Sequence, residues 1–304
     1  MDISFDNFVL FWICIIGLCL GSFYNVVILR SLSNESIVFP PSKCPKCNHK
    51  LFWWHNIPIF SYLILKGKCY FCGEKISPQY PIIEFVTMIL FALTFLKFGF
   101  SLFTLFVIIW ISCLIIMTMT DLKEKVVDCN IAIIMALSGI LYNFTPFCNW
   151  YGLKMSFLGL ILGILIIESI ALLGYLFVGK RAMGEADTYV AGALGAILGW
   201  ESLLLTLGYS LVAAMVIIVP MFLYNQLRNK NIPILITSAI FTISIILFKT
   251  IFENWLTYGF VAISGLTLAA LILKGLKNKK ENNIYLPFVP ALSAGTLYFI
   301  FFVI

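Results

Sequence analysis

The chain has 304 residues, 62% apolar and only 11% charged, with a mean hydropathy of +1.03. A water-soluble core does not account for that balance. The net charge of +6 is spread along the chain rather than gathered on one face, which argues against a nucleic-acid partner.

Ten apolar runs follow one another: Phe8–Leu29, Ile82–Leu96, Leu102–Thr120, Ile131–Phe147, Phe157–Val178, Thr188–Trp200, Leu203–Leu223, Ile232–Leu247, Trp255–Leu273 and Pro287–Ile304. Each predicts a helix crossing a hydrocarbon layer of ~30 Å, although the second and sixth are short and a tight turn near Glu201 must separate the sixth from the seventh. The expected fold is an all-α polytopic membrane protein of about ten transmembrane helices, with a small cytoplasmic domain between helices 1 and 2. The expected division is 1–30 (first helix), 31–81 (cytoplasmic domain), 82–227 (membrane core), 228–280 (an additional hairpin, with Glu253 in its outward turn) and 281–304 (last helix). Asp2 and Asp6 precede the first run and Arg30 follows it, which suits a permanent helix rather than a cleaved leader. With the N-terminus outside, 17 of the 20 basic residues fall in cytoplasmic segments and only Lys97, Lys154 and Lys249 outside, as retention of Lys and Arg on the inner face requires.

The segment 31–81 carries Cys44-Pro-Lys-Cys47 and Cys69-Tyr-Phe-Cys72, with 21 residues between the pairs. Two such knuckles supply four thiolates for a closed tetrahedral zinc site, and a cytoplasmic location keeps them reduced. Cys14, Cys19, Cys113, Cys129 and Cys148 show no ligand spacing and read as packing residues, and His49 and His55 as ordinary loop residues.

Ionisable groups are costly in hydrocarbon and are seldom kept there without a use. Asp121 closes the third run and Asp187 opens the sixth, in Met183-Gly184-Glu185-Ala186-Asp187, both at the expected cytoplasmic boundary. Two carboxyl groups brought together at that depth share one proton, the state that peptide hydrolysis by an aspartate pair needs. The other reading has each acid capping a helix or facing a cation such as Lys123 or Arg181, and from the single acids alone it is the weightier. Glu168 stands in the middle of an apolar run, where an acid is functional or paired inside the bundle. Asp128, in a connecting loop, reads as a solvated charge.

These features occur in an order that resembles the type IV prepilin peptidase family. The stretch from Gly17 to Arg30 resembles its first helix, and the two knuckles with Trp53 to Tyr62 and Ile76 to Glu84 resemble its cytoplasmic domain. Asp121 resembles the first catalytic aspartate, Asp187 that of a Gly-x-Gly-Asp motif, and Leu286 to Pro290 the signature before the last helix. The resemblance implies an aspartic endopeptidase of the bacterial cytoplasmic membrane. Such an enzyme cuts the basic leader of prepilins or pseudopilins after glycine at the cytoplasmic face. In many members it also methylates the new N-terminus with S-adenosylmethionine. No glycine-rich strand-to-helix turn marks a nucleotide site in this sequence. Glu84 belongs to the family-like Tyr80-Pro81-Ile82-Ile83-Glu84 and is expected to orient the cysteine domain or the substrate.

Three departures from the family pattern stand out. Ala186 replaces the second glycine, the Val126 to Asn130 loop lacks the usual proline, and residues 228–280 add two runs beyond eight helices. A second class, a zinc-stapled transporter or receptor whose paired acids bind an ion or proton, stays open. It would favour broken helices recurring in two halves, which this sequence lacks.

Overall fold

A computed structural model describes residues 3–33, 35–39, 41–145, 150–179, 181, 183–228, 236, 240 and 288–304. It is helical throughout, and among the described residues the extended pairing is confined to two isolated bridges, Lys43 with Lys50 and Lys68 with Lys75. The helices are α1 (Ile3–Ser33), α2 (Phe60–Ile64), α3 (Gln79–Phe98), α4 (Leu102–Glu124), α5 (Cys129–Phe144), α6 (Trp150–Val178), α7 (Glu185–Arg228) and α8 (Val289–Tyr298), the last continued by a wider turn over Phe299–Val303.

Among the described residues, five stretches are long and apolar enough to cross a membrane: Phe5–Ser33, Gln79–Phe98, Leu102–Glu124, Gly152–Leu176 and Glu185–Ala214. Cys129–Phe144 and Val289–Val303 are shorter apolar helices. Of the ten apolar runs, the first, second, third and fifth correspond to the first four of these stretches, the fourth and tenth to the two shorter helices, and the sixth and seventh to two helical segments of α7 that meet at a kink. Gly199 (φ 74, ψ 170) breaks the helical geometry of α7, two positions before the expected turn at Glu201. Glycine takes that conformation at no steric cost. The eighth and ninth runs, Glu253 and Cys148 lie outside the described residues.

Helix ends run past the apolar runs because polar flanks favour them. Asp6 sits in the first turn of α1 and Arg30 in its last, each complementing the backbone dipole. Ser101 caps α4 by accepting the Thr104 amide at 3.2 Å, and Lys125 ends that helix at a left-handed φ of 57°. Asp128 caps α5, accepting the Asn130 amide at 2.9 Å, so it is a structural cap rather than a solvated loop charge.

Helices α1 and α3 pack closely. A Cβ built on Gly17 would lie 2.8 Å from the Met88 Cα, and one on Gly21 2.7 Å from the Glu84 Cα, so this glycine pair one turn apart lets the backbones touch. Asn25, fully buried, donates to the Gly21 and Tyr80 carbonyls, both at 3.2 Å. The faces turned away carry Phe8, Phe11, Trp12 and Phe23 on α1 and Leu93 and Leu96 on α3, all exposed, as lipid contact requires.

By internal packing the chain divides into one unit of Met1–Glu168, Glu185–Ser210 and Pro287–Ile304 and another of Ser169–Gly184 and Leu211–Leu286. Apart from Gly184, every candidate residue belongs to the first.

Candidate functional site

The cysteine knuckles are two copies of one turn. In the first, the Cys44 amide donates to the His49 carbonyl (3.0 Å) and the Asn48 amide to the Cys44 carbonyl (2.9 Å). In the second, the Cys69 amide donates to Glu74 (2.8 Å) and the Gly73 amide to Cys69 (2.9 Å). Each turn closes through a left-handed residue, Asn48 (φ 57) and Gly73 (φ 70), the two residue types that tolerate it best. The four sulfurs all lie within 4.8 Å of one another, and Cys44 and Cys72 are 3.9 Å apart, so they are placed to hold one metal ion. Cys69 is lowered to about 7, chiefly by the Cys72 amide hydrogen-bonding its sulfur. Cys72 receives a hydrogen bond from the Glu74 amide that lowers it, but desolvation and the neighbouring thiols prevail and push it up to about 12. Crowded thiols that cannot ionise together are what a bound cation would relieve.

His55 is not an ordinary loop residue. It is buried in an aromatic cluster with Trp54, Tyr70, Phe71 and Phe52, and its Nδ1 accepts the Phe52 amide at 3.2 Å. Burial lowers its pKa, which suits a neutral ring holding the domain together. His49 stacks on Phe71 with ring centroids 4.7 Å apart. Cys113 is buried as a packing residue should be, but Cys19 and Cys129 are exposed. Cys129 opens α5 at the loop side, and Cys19 sits on the outer face of α1, where an apolar thiol needs no protein neighbour.

Glu84 is hydrogen-bonded to the cysteine domain. It is buried on α3, and its Oε2 accepts the Ile59 amide at 2.7 Å, with the Ser22 side chain also hydrogen-bonded to it. Ile59 has φ 60 and ψ −51, a conformation that a β-branched residue adopts only under constraint. One carboxylate on a spanning helix thus holds a strained corner of the domain beside it.

Asp121 is buried in the last turn of α4, one turn before Lys125. An acid there opposes the helix dipole, so it does not serve its own helix as a cap. Its Oδ2 accepts the Val289 amide, at the start of α8, at 3.2 Å, and Thr118 and Ser293 pair at 2.7 Å one turn further along the same two helices. Asp187 is buried in the first turn of α7, and the neighbouring Thr188 hydroxyl donates to Glu168 Oε1 at 2.9 Å. Glu168, an acid in mid-helix, thereby has a partner beside Asp187. Gly184 precedes the helix, Glu185 opens it on the exposed side, and Ala186 lies in its first turn with helical backbone, where alanine is more favourable than glycine by about 1 kcal/mol. No left-handed conformation is demanded at Ala186, so its methyl group carries no backbone strain.

The family model for the bacterial peptidase A24 N-terminal domain matches residues 15–98, and that for the type IV leader peptidase family matches residues 107–219. A prepilin leader peptidase/N-methyltransferase of Klebsiella pneumoniae is 34% identical over 190-odd residues: the match of 197 residues covers 63% of this chain and 86% of that protein. The chain belongs to the type IV leader peptidase family. Proteins of the same description from Myxococcus xanthus (34% over 190 residues; 62% of this chain, 56% of that one) and Neisseria gonorrhoeae (33% over 213 residues; 62% and 74%) also match. The chain thus spans just over half the length of the Myxococcus relative. No solved structure matches. Both buried aspartates fall inside the matched region 107–219, and the four cysteines and Glu84 inside 15–98. Val289, whose backbone amide holds Asp121, lies beyond both. It falls in the Leu286 to Pro290 stretch that the sequence singles out, but a backbone donor 168 positions away leaves no mark in side-chain identity to say which acid it serves.

Proposed function

We propose that the protein is a membrane aspartic endopeptidase acting on prepilins or pseudopilins, with Asp121 and Asp187 as its catalytic pair. The observation that carries this reading is that both acids are buried within one turn of the end of an apolar helix, inside the region that matches the leader peptidase family. The ionised partner takes a proton from water as the water attacks the peptide carbonyl. The protonated partner hydrogen-bonds the developing oxyanion and then protonates the leaving amine. The Val289 amide would hold one oxygen of Asp121 and leave the other toward the substrate.

The excess of basic residues puts the N-terminus outside and the reaction at the cytoplasmic face of a bacterial inner membrane, in a chain of up to ten spans. Cleavage after glycine follows the family resemblance. Methyl transfer, with S-adenosylmethionine as donor, is supported by the relatives' names alone.

Zinc is the ion we assign to the four-cysteine cluster. Four Zn–S bonds of ~2.3 Å make a tetrahedron with edges of ~3.8 Å, against 3.9 Å between Cys44 and Cys72. Its role is to staple the domain, and no catalytic step passes through it.

The test is cleavage of a co-expressed prepilin, read as a mass shift. Wild type should shorten it, and Asp121→Asn or Asp187→Asn at normal membrane levels should leave it at full length. Complete processing by either variant would remove the pair from the mechanism and return the acids to an ion-binding role.

A further inference from the structure

The cysteine domain carries a basic cleft that neither the metal cluster nor the aspartates use. It has a volume of about 430 Å³ and is lined by Tyr62, Lys66, Lys68, Lys75, Ser77 and Pro78 together with Gly67 and Ile76. Three lysines thus line one space, and no acid lines it among the described residues. Two of them, Lys68 and Lys75, stand opposite each other across a bridge, where like charges repel. The floor is built rather than accidental. The Gly67 amide donates to the Tyr62 carbonyl (2.9 Å), and the Ile76 amide to the Gly67 carbonyl (2.8 Å). Gly67 has φ 66, and a Cβ there would meet the Tyr62 hydroxyl at 2.9 Å.

Position decides what such a cleft meets. Pro78 immediately precedes Gln79, the first residue of the spanning helix α3, so the cleft lies where that helix leaves the hydrocarbon and enters the headgroup layer. Beside it, α2 turns an apolar face outward. Phe60, Leu63 and Ile64, spaced i, i+3, i+4, are 61%, 64% and 72% exposed, while Ser61 and Tyr62 are half-buried. Lys66 follows Ile64 by two residues, so the apolar face and the cationic cleft adjoin. An apolar strip next to clustered lysines at a membrane boundary matches an anionic lipid in both halves, acyl chain and phosphate.

We propose that this cleft binds the phosphate headgroup of an anionic phospholipid from the leaflet that α3 enters, with Lys66, Lys68 and Lys75 around the phosphate and the exposed face of α2 against the chains. The site would seat the cysteine domain on the membrane surface.

Native mass spectrometry of the full-length protein in detergent, titrated separately with phosphatidylglycerol, phosphatidylcholine and inorganic phosphate, tests this. Phosphatidylglycerol should bind at least about tenfold more tightly than phosphatidylcholine, since each lysine near an anionic surface contributes on the order of a few-fold. Lys66→Gln/Lys68→Gln/Lys75→Gln should abolish that preference. The charge-matched Lys43→Gln/Lys46→Gln/Lys50→Gln, which alters exposed lysines around the other knuckle, should keep it. An unchanged preference in the cleft variant, or an equal loss in the control, overturns the proposal. Displacement of phosphatidylglycerol by millimolar inorganic phosphate overturns the lipid assignment in favour of a free phosphate ligand. Should the triple change release the metal, Lys66→Gln alone, three residues before Cys69 and outside the Lys68–Lys75 bridge, must still weaken the preference, and a full wild-type preference there is equally decisive against it.

Discussion

The cysteine domain and the aspartate helices are built on different principles. In the domain, chemistry and fold coincide within short stretches: each knuckle closes on itself through hydrogen bonds spanning four or five residues, and the four sulfurs meet when the two turns pair. In the helices, the candidate side chains are held by partners on other helices. Asp121 is held from position 289, and Glu168 is held from Thr188 on the next helix. A locally closed site can be lost by one substitution but is regained whenever its turn reforms. A site assembled between helices depends on the whole bundle, so its residues should be more sensitive in function than in fold.

Variants can break that contrast. The largest effect is expected at the aspartates. Asp121→Asn and Asp187→Asn should each lower leader cleavage by about 10³-fold or more while the protein stays in the membrane, and the double change should be little worse, because the two act as a unit. Asp128→Asn and Glu185→Gln should cost less than about tenfold, since the first caps α5 and the second is exposed. Next come the cysteines. Cys44→Ser/Cys72→Ser should reduce bound zinc from about one per chain to none by elemental analysis and open residues 31–81 to proteolysis, with α3 and α4 still protected.

Glu84 links the two regions, and its loss should be intermediate. Glu84→Ala strands the Ile59 amide and should destabilise the domain by about 1–3 kcal/mol, seen as faster nicking within 31–81, whereas Glu84→Gln keeps an acceptor and should recover most of it. Acidification sharpens the same point. Burial lowers the His55 pKa, so the unfolded chain binds that proton more readily than the folded one. The stabilisation is full above the usual imidazole value of ~6.5 and declines as pH falls below it. Protection factors over 31–81, taken relative to the intrinsic exchange rate at each pH, should therefore fall between pH 7 and pH 5, and His55→Phe should flatten that dependence. The smallest effect belongs to Ala186→Gly. Restoring the family's glycine should cost up to about 1 kcal/mol in helix stability and leave cleavage within about twofold, because the first turn of α7 already accepts alanine.

Residue type and spacing alone settle several features of this protein. Long apolar runs make it helical and membrane-spanning, because hydrocarbon leaves the backbone no other way to satisfy its hydrogen bonds. The paired C-x2-C knuckles announce a four-sulfur cluster, because a tight turn brings residues three apart to one point. Two acids at the ends of apolar helices stand out because burying them unused is costly. The number of crossing helices is less legible, since hydropathy registers apolar length and cannot tell a break at Gly199 from one at Glu201. Four features were decided only in three dimensions: the burial of His55 among aromatic rings, the strained corner at Ile59 held by Glu84, the Thr188 partner of Glu168, and the Val289 amide on Asp121. Each depends on a backbone group or a neighbour brought close by packing between distant segments. Such contacts follow from how helices and turns approach one another, and that approach is set by the whole chain rather than by any local pattern of residues.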